Sequence, residues 1–142
     1  MNGNAELLNF VFQNSQMGVE TLEQLMEIAE EQSLKEYLKK EYDGYRSIHE
    51  EARELLHDNG MDEKGLNAFE KIRTYLMINM KTMTDQTSSN IAEMLIIGSN
   101  MGITDAIKKL RKYQGADKKI LHLMERLKKF EEDNVEKLKE FL

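Results

Sequence analysis

None of the 142 residues is a proline. Proline removes a backbone donor and clashes with the preceding helical turn, so a chain without one can carry long uninterrupted helices. The abundant Glu, Lys, Leu, Met and Ala residues all favour that state. At this length one domain spanning 1–142, with a real hydrophobic core, is expected. Cysteine is also absent, which excludes disulfides, thiolate metal sites and thiol nucleophiles.

Apolar periodicity divides the chain into five helical segments, and no credible strand is found. The first runs from about Ala5 to Glu31. The second begins after Ser33, where "SLKE" has the form of a capping box, and stops at Gly60. The third runs from near Glu63 to about Thr84. The fourth starts around "TSSN" (Thr87 to Asn90) and reaches Tyr113, and the fifth occupies Ala116 to the C-terminus. The stripe Phe69, Ile72, Leu76, Met80, Met83 continues in register through Met94, Ile97 and Met101, which would allow a single rod. Ser/Thr/Asn capping chemistry at "TDQTSSN" favours a break instead. Short connections make consecutive helices antiparallel neighbours.

In the first segment the buried stripe is interrupted within "FVFQNSQMGVET". Leu7, Leu8, Val11, Leu22 and Leu25 share a face with Asn14, Ser15 and Gly18, while Glu20 points away. Glu41 falls within the stripe of the second segment and His49 at its edge. Glu131 and Asn134 interrupt the stripe of the fifth. Counting about 1.5 Å per residue from the turns puts Asn14, Ser15, Tyr45, His49, Ser99, Glu131 and Asn134 in one central polar layer, with Glu41 several residues off it. The expected content of this layer is a hydrogen-bonded network, because buried polar groups must be paired. Ser15, Gly18, Ser99 and Gly102 are expected to let helix backbones approach closely.

A metal is the competing occupant, with Glu41, His49 and Glu131 as candidate ligands. Di-metal bundles use about four carboxylates and two His, two of the carboxylates belonging to Glu-x-x-His pairs. The literal match here, Glu54 to His57, projects away from the apolar stripe, and Glu131 is followed at the right spacing by Asn134 instead of His. No resident cofactor is therefore expected, with iron or manganese as the alternative. The fourth segment is apolar on two faces, and Met94, Ile97 and Met101 are the candidate dimer interface. Ten methionines leave room for a Met-rich groove that takes a partner helix.

A formal net charge of −6 argues against a nucleic-acid role. "KKLRKY" (Lys108 to Tyr113) is read as favourable charge at a helix C-terminus. No stretch approaches the ~18 apolar residues of a membrane span, and the N-terminus has no signal-peptide pattern. A cytoplasmic location is expected. No G-x-S-x-G or phosphate-loop pattern occurs, so a non-catalytic role is expected.

"ELLNFVFQNSQMGVETLEQL" followed by "LKEYLKKEYDGYRSIHEEARELL" resembles the first helical hairpin of small bacterial ferritin-like proteins, including those of the spore-coat type. "FEEDNVEKLKEFL" resembles their last helix. The resemblance implies an all-α, ferritin-like four-helix bundle with an additional crossover or fifth helix. It does not carry iron oxidation across, because Asn134 stands where a ligand His would fall and the first and fourth helices lack core-facing Glu.

Overall fold

In the computed structural model the described residues are 2–63 and 69–142. They form five α-helices and no strand: α1 (Asn4–Ile28), α2 (Gln32–Asp58), α3 (Glu70–Lys81), α4 (Ser88–Lys112) and α5 (Lys118–Leu138). A 3-10 turn, Lys139–Phe141, closes the chain. The expected start of the third helix near Glu63 runs into 64–68, which lie outside the described residues.

α1 and α2 form one antiparallel hairpin and α4 and α5 the other, and the two hairpins pack together. α3 lies mainly against α4. The α4–α5 turn is pinned to the start of α1, where the Asp117 amide donates to Asn4 Oδ1 at 2.9 Å. Gly3 just before α1 has a φ of 83°. A side chain there would run into the Tyr113 ring, so the contact needs glycine on both conformational and steric grounds.

Local signals account for most helix ends. Gly60, at a φ of 65°, closes α2: its amide donates to the His57 carbonyl at 3.0 Å and the Met61 amide to the Leu56 carbonyl at 2.8 Å, the pattern of a left-handed C-terminal stop. Thr87 caps α4 by accepting from the Asn90 amide at 3.3 Å. Asp85 in turn accepts from the Thr87 amide at 3.0 Å. α3 and α4 are thus separate helices rather than one rod. The capping box at Ser33 does not form. α2 already begins at Gln32, its N-cap is Glu31, and no side chain caps it. The chain turns earlier than expected because Ala29 is extended and buried at 2% exposure, which places Ser33 inside the helix.

α1 runs through the centre of the molecule. Every residue from Leu7 to Ser15 is buried, as in a helix surrounded on all sides. Phe10 completes the enclosure by packing on Phe69, the residue before α3, with ring centroids 4.9 Å apart. α5 buries one face: Ile120, Leu123, Met124, Leu127, Val135 and Leu138 are buried, together with Glu131 and Asn134, while Phe130 and, beyond the helix, Phe141 are half-buried.

Candidate functional site: a buried carboxylate pair

Four helices send polar side chains to one place in the core. Glu131 of α5 is 2% exposed. It accepts from Asn14 Nδ2 of α1 at 2.8 Å and from Tyr45 Oη of α2, also at 2.8 Å. Ser99 of α4 lies beside the same phenol. Glu41 lies one turn before Tyr45 on α2 and is likewise 2% exposed. Its Oε1 has no hydrogen-bond partner among the described residues. Both carboxyls line a cavity of about 30 Å³, room for one or two water-sized groups.

Two glycines stand against the polar cluster. A Cβ on Gly18 would lie 2.8 Å from the Tyr45 ring, so its absence lets the ring enter the core and reach Glu131. A Cβ on Gly102 would stand 3.3 Å from Asn14 Nδ2 and 3.4 Å from Glu131 Oε2. These glycines make room for side chains of the polar cluster, where a close approach of helix backbones was expected.

Burial dominates the electrostatics. The Glu41 carboxyl is pushed up to about 8, first by burial and then by the Glu131 charge. Glu131 rises to about 7 by burial, against which the Tyr45 and Asn14 hydrogen bonds hold it down. Tyr45 is raised well above its ordinary range by burial and by both carboxylates. Among the described residues no Lys, Arg or His lines the cavity.

The rest of the expected layer separates into two further groups. Asn134 Oδ1 accepts from Tyr37 Oη at 2.6 Å, a partner that an apolar-stripe reading of Tyr37 does not supply. Asn134 Nδ2 has no partner among the described residues. Ser15 Oγ donates back along its own helix to the Val11 carbonyl at 2.7 Å. His49 Nδ1 sits 3.2 Å from the Phe12 carbonyl and 3.3 Å from Ser15 Oγ. A carbonyl only accepts, so this contact requires the proton on Nδ1. The imidazole also lies against the Phe12 ring, with centroids 4.5 Å apart.

The candidate ligands are therefore divided. Glu41 and Glu131 meet, whereas His49 is engaged with Phe12 and Ser15. No group of three or more His, Cys, Asp and Glu side chains capable of holding a metal occurs among the described residues. Asn14 and Tyr45 present hydrogens to Glu131, whereas a cation needs lone pairs. This donor set does not fit iron or manganese, which favour imidazole alongside carboxylates in such bundles. Glu54 and His57 are both exposed.

Glu41 is the residue that axial counting misplaced. Counting locates Cα atoms, but one cavity spans more than one level of the bundle. It joins the level of Leu22 and Glu41 to that of Ser99 and Glu131, and all of these line the same cavity.

The proposed dimer face also changes. Met94 is 3% exposed and belongs to the core, so it is unavailable to a partner. Met101 is half-buried, and Ile97 is open at 41% exposure. No helix among the described residues is long and apolar enough to cross a membrane. No known family, curated protein or solved structure matches the chain.

Proposed function

We propose that this is a non-catalytic, ferritin-like helical-bundle protein that works by self-association, through the side of the molecule formed by α3 and α4. One observation carries the reading. Among the described residues the exposed large hydrophobic side chains are Met77, Ile78, Ile97 and the C-terminal Leu142, so three of the four lie on these two helices. Met77 and Ile97 are chain neighbours of Leu76 and Gly98, which pack together, and so they flank one helix contact. Exposed apolar groups gathered in this way mark association surfaces. The polar core supports the same reading, because its reactive groups are turned inward and largely paired with one another. A cytoplasmic homodimer is the form that goes with it.

Light scattering coupled to size exclusion tests the proposal. The expected result is a dimer that Ile97→Glu or Met77→Glu converts to monomer with the helical content unchanged. A strict monomer at ~100 µM, a concentration at which even a weak interface with a dissociation constant of about 10 µM would be mostly occupied, sinks it.

A further inference from the structure

We infer that Glu41 and Glu131 share one proton in the core, and that losing this proton at alkaline pH releases α3, the helix that covers the cavity. The core around these carboxyls holds no positive charge among the described residues. Two carboxyls, each 2% exposed, line one cavity of about 30 Å³. Buried charges need a partner of opposite sign, and like charges sharing a site cannot both ionise without strain.

Among the described residues, the groups facing the pair supply no such partner. α1 contributes Asn14 and Thr21, and α4 contributes Ser99, all neutral. α3 contributes only Ile72 and Leu76. The titratable groups that α2 turns toward the pair, besides Glu41 itself, are Tyr45, in the cavity, and Tyr37, whose phenol feels the Glu41, Asp133 and Glu140 charges. From α5 comes Glu131 itself, with the neutral Asn134 one turn on. A proton is the smallest cation that satisfies the pair, and geometry assigns it. Glu131 has two donors at 2.8 Å, which favour its ionised form. Glu41 Oε1 has none, which favours the protonated form there.

α3 is the element placed to respond. It is the shortest of the five helices, with 12 residues, and buries only Ile72 and Leu76, the two residues that line the cavity. Leu76 is held in a notch at Gly98, where a Cβ would be 3.1 Å from Leu76 Cδ2. A helix with so little buried surface is among the first parts to open. When the proton leaves to solvent, the second negative charge must be hydrated, and displacing α3 is the shortest way to bring water in.

Amide hydrogen exchange on the full-length chain tests this, with rates corrected for their intrinsic pH dependence. Between about pH 6 and about pH 9 the protection of Glu70–Lys81 is expected to fall by at least about tenfold, and by clearly more than that of Leu7–Ser15. Glu41→Gln, neutral at both pH values, is expected to abolish the fall. An equal fall in Glu41→Gln, or no fall in the wild type, overturns the inference. Should Glu41→Gln not fold, carbon NMR of the wild-type Glu carboxyls decides instead. At least one carboxyl titrating above about pH 6.5 is expected, and all of them titrating below about 5.5 overturns it. A third arm adds magnesium, calcium or manganese at pH 9. If any of these restores α3 protection in the wild type but not in Glu41→Gln, a metal cation rather than a proton fills the site, and the inference fails.

Discussion

Gly18 shows how one missing side chain organises the core. Glycine in a helix interior is about 1 kcal/mol worse than alanine, so propensity alone makes Gly18→Ala stabilising. The added Cβ would sit 2.8 Å from the Tyr45 ring, and overpacking of this kind typically costs about 1–3 kcal/mol. The steric effect is expected to win, giving a net loss of stability in urea unfolding. Tyr45→Phe keeps the ring in its place but removes the hydroxyl that Glu131 accepts from. It is expected to destabilise by about 1–2 kcal/mol. The carboxyl pair also fixes the direction of pH dependence. Glu41 and Glu131 titrate near 8 and 7 in the folded chain, against an ordinary value of 4.5. Between those values the folded chain holds more protons than the unfolded one. Their contribution is therefore fully present below about pH 4.5, declines as pH rises through 7 and 8, and is constant above. Thermal midpoints measured from pH 5 to 9 should fall, and Glu41→Gln should flatten the decline.

At the scale of elements, the break between α3 and α4 rests on few groups. Thr87 caps α4 through its side chain, supported by Asp85. Thr87→Ala is expected to cost about 1 kcal/mol, read as a lower urea midpoint with an unchanged slope. Helix ends were legible in the sequence where a residue type has a single use. Gly60 at the end of α2 and Thr87 at the start of α4 are of this kind. Ser33 was misleading because serine is also tolerated inside a helix, and the actual turn depends on Ala29 being drawn into the core. The stripes of α2 and α5 were readable because each helix buries one face. α1 buries nearly its whole circumference over Leu7–Ser15, which a one-face projection does not express.

At the scale of the molecule, self-association through Met77, Ile78 and Ile97 would be driven by apolar burial, while the net charge of −6 opposes bringing two copies together. Added salt screens that repulsion. The dimer should therefore tighten as ionic strength rises, and sedimentation velocity from low to high salt checks this; dispersal by salt would point to an ion-pair interface. The sequence by itself determined the all-helical class, the stripes of α2 and α5 and the presence of Asn14, Ser99, Glu131 and Asn134 among buried residues, because each follows from the 3.6-residue period or from local capping. Only the tertiary structure decided that α1 is central, that Met94 is buried, that His49 pairs with Phe12 and Ser15, and that Glu41 joins Glu131. These depend on side-chain direction and on the room left by glycines of neighbouring helices, and no single helix carries that information in its own periodicity.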